Sequence, residues 1–133
     1  MEREFLNPAD MPSLPGFSQV VTATEGKIVF ISGQVAFNEK NELVGKGDLR
    51  AQAVQTFENL KKGLSASGAT LADVVKTNVY IVNYQADMLG MIRDVRSQYL
   101  PQDNAPASTL IGVQALALDG LLIEIEAVAM VKA

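Results

Sequence analysis

The stretch Leu121-Leu122-Ile123-Glu124-Ile125-Glu126-Ala127-Val128-Ala129-Met130 decides how this chain folds. Side chains of a strand alternate between two faces. Ile123, Ile125, Ala127 and Ala129 therefore share one face, which is uniformly apolar and belongs against a core. Glu124 and Glu126 share the other face with Leu122, Val128 and Met130. A half-apolar face that carries two carboxylates suits a subunit interface or a binding cleft better than open water.

Upstream, Ser108 to Gln114 reads as another strand, joined to the closing one through Asp119-Gly120. Before it, Met88, Ile92, Val95 and Tyr99 form a helical stripe, stopped by Pro101. Asp73 to Val82, "DVVKTNVYIV", is a strand rich in β-branched residues. A longer helical stripe precedes it: Leu49, Ala53, Phe57, Leu60 and Leu64, with Asp48 as N-cap and Gly68 as terminator. Ser18 to Thr24 and Lys27 to Val35 read as a hairpin turning at Glu25-Gly26, and the first residues, with Pro8, Pro12 and Pro15, as an irregular lead-in. The resulting order is β-β-α-β-α-β-β. It predicts an α+β fold, a mixed sheet with both helices on one face. The other sheet face must then meet water or another subunit.

A chain of 133 residues fits one domain, spanning residues 1–133. It contains no cysteine and no histidine. Disulfides, thiol nucleophiles and Cys- or His-ligated metals are thereby excluded, as is the commonest general base. A hard-cation site built from Asp and Glu stays open, although no loop has the spaced carboxylates of an EF-hand. The net charge is −4, with no basic cluster larger than Lys61-Lys62, which argues against nucleic acid as a partner. The N-terminus lacks the apolar core of a signal peptide, and no run is apolar enough to span a bilayer. A cytoplasmic protein without a membrane partner is expected.

Four segments resemble the Rid family, also called the RidA/YjgF or L-PSP endoribonuclease-like family. They are "ISGQVAFNE" (Ile31 to Glu39), "AQAVQTFENLKKGLSASG" (Ala51 to Gly68), "ADVVKTNVYIVN" (Ala72 to Asn83) and "LIEIEAVAM" (Leu122 to Met130). They occur in the family's order and cover most of the chain. The resemblance implies a chorismate-mutase-like fold and a homotrimer built around a central barrel of sheets. It also implies small-molecule clefts between subunits and cofactor-free hydrolysis of enamines or imines to ketones with release of ammonia.

Carried onto this sequence, the resemblance makes Glu124 the catalytic, water-holding carboxylate. Ser32-Gly33 matches the family's pair at the site. Phe17 falls where many members have Tyr. In "APASTLIGV" (Ala105 to Val113) active deaminases read Pro-Ala-Arg, whereas Ser108 stands here at the arginine's position, followed by Thr109. Phe17, Ser32, Gly33, Ser108 and Thr109 are thus the candidate substrate-binding residues. The arginine of the family clamps a substrate carboxylate through a bidentate pair, which a serine hydroxyl cannot do. Weak or absent activity on 2-imino acids is therefore expected. Arg93 and Arg96 would replace the missing cation if they reached the cleft, but they read as a solvated helix face. Glu126 reads as paired across the trimer or solvated. Two functions stay open: a divergent enamine/imine deaminase-type hydrolase, and a non-catalytic metabolite-binding or sensing trimer. Endoribonuclease activity ranks below both, because the chain is acidic and lacks histidine.

Overall fold

A computed structural model of the chain describes residues 1–133. Its elements are β1 (Glu2–Leu6), β2 (Val20–Thr24), β3 (Lys27–Gln34), α1 (Leu49–Ala66), β4 (Val74–Val82), α2 (Leu89–Ser97), β5 (Ala107–Val113) and β6 (Ile123–Val131). The main sheet has the order β3-β6-β4-β5. β4 and β5 run parallel, and β6 is antiparallel to both β3 and β4. β3, β4 and β5 thus point one way, with α1 and α2 as the two crossovers between them. Crossovers of one hand that step in the same direction across a sheet put their helices on the same face. That is the mixed sheet with two helices on one face expected from the sequence.

The core lies between that face and the helices. Ile123, Ile125, Ala127 and Ala129 of β6 are all buried, as their alternation required, together with Val79 and Ile81 of β4. Ala53, Phe57, Leu60 and Leu64 of α1 and Ile92 and Val95 of α2 close over them. Full burial of such aliphatic and aromatic side chains stabilises by about 1.5–3 kcal/mol each. Phe57 stacks on Tyr99 with ring centroids 5.0 Å apart, joining the two helices. Asp48 caps α1 by accepting from the Ala51 amide at 3.0 Å, and Gly68, at φ +79°, follows its end.

The N-terminal segment departs from the sequence expectation in two ways. Glu2–Leu6 is not an irregular lead-in but a strand, paired antiparallel with β2 from Glu2–Thr24 to Leu6–Val20. β2 and β3 do not form a hairpin either, since β2 pairs with β1 and β3 pairs with β6. β2 is approached from Ser18, which bridges Ala107 at the β5 edge. It leads through Glu25-Gly26 into β3, which starts opposite Val131 at the other edge. The strand therefore crosses the end of the sheet instead of extending it. The turn expected at Glu25-Gly26 is present, with φ +57° and +117°. What joins across it are two sheets. Arg3 fixes β1 to the start of β4, donating to the Ala72 carbonyl at 3.0 Å and pairing with Asp73 at 3.4 Å.

No helix is long and apolar enough to cross a membrane.

Candidate functional site

Ladder register assigns the sequence-predicted site residues to the two faces of the sheet. Thr77 is opposite Ser108 on β5 and Ala127 on β6. Ala127 is a core residue, so Ser108 belongs to the helix-covered face. The Thr77 hydroxyl donates to Ser108 Oγ at 2.9 Å, as two hydroxyls on one face should. Tyr80 is opposite Glu124, and Asn78 is opposite both Glu126 and Thr109. Glu124, Glu126 and Thr109 therefore lie on the open face. Thr109 is exposed there and accepts from Lys76 Nζ at 3.0 Å. Ser108 and Glu124 are thus separated by the sheet itself and by two strand spacings, about 10 Å. One chain does not bring them together.

Around Glu124 the geometry depends on a β-bulge. The β3–β6 register shifts between Ile31 and Gln34, leaving Ser32 and Gly33 without ladder partners. Gly33 thereby meets the Glu124 side chain so closely that a Cβ there would lie 1.8 Å from Oε2. Gly33 also lines a hollow of about 300 Å³ with Gln34, Phe37, Asn38, Asn59 and Lys62. Ser32 is exposed, and its carbonyl accepts from Gln34 Nε2 at 2.9 Å. Glu126, half-buried on the open face, accepts a hydrogen bond from the Tyr80 hydroxyl within the chain. That bond, followed by burial, raises the Tyr80 pKa above its ordinary value.

The Ser108 side of the sheet carries a cleft of about 290 Å³, lined by Phe17, Tyr84, Leu89, Arg93, Arg96, Ser108 and Leu110. Ser18 holds Phe17 in place by donating from its hydroxyl to the Ala105 carbonyl at 2.6 Å and from its amide to the Pro106 carbonyl at 3.1 Å. The preceding Gly16, at φ +91°, packs on Arg96, where a Cβ would lie 2.1 Å from Nη2. Arg96 is not on a solvated face: it is only 7% exposed. Burial, and then the neighbouring Arg93 charge, lower its pKa. Neither arginine has an acidic partner. The ion pairs of the chain are Arg3–Asp73 and Arg50–Asp94, so the one carboxylate on α2 is already engaged with α1.

Two further residues position these groups. Gln52, fully buried on α1, donates to the Gly45 and Gly120 carbonyls at 3.1 and 2.9 Å and accepts from the Leu122 amide at 2.9 Å. It fixes the entry into β6 two residues before Glu124. Asn59 donates to the Val35 and Phe37 carbonyls, each at 2.8 Å, and so holds the segment that follows Gly33. A polar residue beside an apolar helical stripe was the available signal for both.

The family model described as Endoribonuclease L-PSP matches residues 9–131. The chain belongs to this family, the Rid proteins. Among curated Rid relatives, the 2-iminobutanoate/2-iminopropanoate deaminase of Dermatophagoides farinae is 34% identical over 116 residues, 87% of this chain and 86% of that protein. The 3-aminoacrylate deaminase RutC of Acinetobacter baylyi is 33% identical over 132 residues, 98% of this chain and 100% of its own length. The crystal structure of YyfB, a Rid protein of unknown function from Yersinia pestis, is 46% identical with a TM-score of 0.92, covering 98% of this chain and all of that one. RidA from the Antarctic bacterium Psychrobacter sp. PAMC 21119 is 31% identical with a TM-score of 0.70, covering 96% of this chain and 98% of that one.

Proposed function

We propose that this Rid protein is a cofactor-free hydrolase of enamines or imines, and that it works as a homotrimer whose sites are completed across subunit boundaries. The observation that carries the reading is the division of the site residues between two faces of one sheet. Glu124 and Gly33 lie on the open face, and Phe17 and Ser108 at the helix-side cleft. A second copy that covers the open face of the first can present its own cleft to Glu124. The open face is suited to cover, because Ile28, Phe30 and Ile111 stand 54%, 76% and 45% exposed on it. Relatives named as deaminases of 2-imino acids and of 3-aminoacrylate support the reaction class.

The chemistry needs little of the protein. Water adds to the C=N carbon, the resulting carbinolamine loses ammonia, and a ketone remains; imine plus water balance ketone plus ammonia. Glu124 orients the water and takes its proton, and it is held for this by the contact with Gly33. The cleft on the Ser108 side contains no acidic group of its own. A trimer that binds its ligand in this cleft but releases no ammonia would be the metabolite-binding or sensing trimer of the second reading. The test is ammonia and oxo-acid release from imines generated in situ by an amino-acid oxidase, with the mass in solution measured by light scattering. Turnover by a trimer, lowered roughly a hundredfold in Glu124→Ala, is expected. A monomer mass, or turnover unchanged in Glu124→Ala, contradicts the reading.

A further inference from the structure

We infer that Arg93 and Arg96 together form the anchor for a carboxylate-bearing ligand in the cleft beside Ser108, supplying from α2 the charge that position 108 lacks. The inference deepens the hydrolase reading and rests on it only for the identity of the ligand as a substrate.

Arg96 carries the argument. A charged group that is 93% buried normally has a partner, because leaving water without one is costly. The Arg96 side chain makes no ion pair within the chain, and its nitrogens are not sealed away without a partner but open onto the cleft that the residue lines. A second guanidinium, Arg93, lies one turn back on the same helix face and lines the same cleft. Two like charges that share one small cleft, with the only acid of α2 turned away to Arg50, leave a positive charge unbalanced. An anionic ligand removes both penalties at once. Lowered basicity of a buried group in a cleft also marks functional sites generally.

The walls select the ligand further. Phe17, Leu89 and Leu110 offer apolar surface, while the Ser108 hydroxyl, already accepting from Thr77, can donate its own hydrogen to an oxygen. The volume of about 290 Å³ suits a small molecule. A planar carboxylate on a short apolar chain matches a guanidinium fork and these walls better than a fully polar anion does. The expectation of poor 2-imino acid hydrolysis rested on Ser108 as the only group at that place; with Arg93 and Arg96 there, it reverses.

The test is isothermal titration calorimetry, which reads no turnover. The probes are 2-oxobutanoate, the neutral butanone and inorganic phosphate, against the wild type, Arg93→Gln, Arg93→Gln/Arg96→Gln and Arg96→Lys. The wild type should bind 2-oxobutanoate roughly tenfold or more tightly than butanone or phosphate. The double variant should lose that advantage, and Arg96→Lys should keep part of it. Circular dichroism and mass confirm folding, and the half-buried Arg93 gives a variant that leaves the core untouched. Equal affinity for 2-oxobutanoate and butanone, phosphate bound as tightly, or 2-oxobutanoate bound unchanged by the double variant would each overturn the inference. Arginine-dependent binding without ammonia release supports this site and overturns the hydrolase reading alone. Turnover of 2-imino acids with KM indifferent to both arginines overturns this site and leaves the hydrolase standing.

Discussion

Replacing Gly33 by alanine should disable catalysis without unfolding the protein. The added Cβ would lie 1.8 Å from Glu124 Oε2, 2.7 Å from Cδ and 3.0 Å from Cγ. Ordinary van der Waals contact begins near 3.4 Å, so the carboxylate oxygen must move by about 1.6 Å. A misplacement of about 1 Å at a reacting centre typically lowers the rate about a hundredfold, equivalent to about 2.7 kcal/mol in the barrier. Stability should change far less. The obstacle is the far end of a flexible, half-buried side chain, and loss of glycine's freedom in the unfolded chain partly offsets the shift; the net should stay within about 1 kcal/mol. The assay is steady-state ammonia release beside a thermal melt. Gly33→Ala should lose kcat like Glu124→Ala with an almost unchanged Tm. The double variant should be no worse than Glu124→Ala alone, because the displaced group is already gone. Full activity in Gly33→Ala, or a double variant that multiplies the two losses, would refute the reasoning.

Gln52→Leu should cost about 2–4 kcal/mol, since it strips the Gly45 and Gly120 carbonyls and the Leu122 amide of their buried partner; a fall of at least several degrees in Tm checks it. Arg96→Met should act the other way, stabilising by about 1 kcal/mol because a mostly buried residue whose charge has no ion-pair partner is replaced by an apolar one, while carboxylate affinity is lost. The melting temperature and the calorimetric affinity should therefore move in opposite directions. Burial, with help from the nearby Glu58 carboxylate, holds the Tyr99 pKa at about 12 against an ordinary 10.0. The folded chain then keeps a proton that the unfolded chain loses, so this contribution is complete below pH 10 and fades between pH 10 and about 12. Denaturant titrations should show a shallower alkaline fall in stability for Tyr99→Phe than for the wild type.

Local pattern carried much of the fold. Alternation in β6 assigned Ile123, Ile125, Ala127 and Ala129 to the core, and the stripe from Leu49 to Leu64 gave α1 its inner face. Both are short-range periodicities, which a sequence displays directly. Glu25-Gly26 announced a turn but could not say which strands it joins. β2 found its partner in Glu2–Leu6, a segment too short and too close to a proline-rich stretch to stand out. The Tyr80–Glu126 bond links positions on different strands, and no local rule exposes such a pair. Arg96 was legible in part. It lies four residues after the buried Ile92 and next to the buried Val95, so the apolar stripe of α2 runs straight past it. A charged residue at that spacing reads as solvated by its type, whereas the Gly16 loop that covers it comes from 80 residues earlier in the chain. The resemblance identified Ser108 and Glu124 together. Only the ladder register separates them onto opposite faces, and that separation is the reason the proposed site needs a second subunit.

The most direct test of shared sites is complementation between two inactive variants. Glu124→Ala spoils the open-face half of each site and Arg93→Gln/Arg96→Gln the cleft half. The two proteins are dissociated in mild denaturant, mixed in equal amounts and reassembled, and ammonia release from a 2-imino acid is measured beside each parent treated alone. If every site takes one half from each of two neighbouring subunits, about a quarter of the sites in a random mixture receive two intact halves. The mixture should recover about that fraction of wild-type activity while neither parent recovers any. A mixture no more active than its parents, prepared under conditions in which the wild type regains full activity, would show that each chain holds its whole site and would contradict the account.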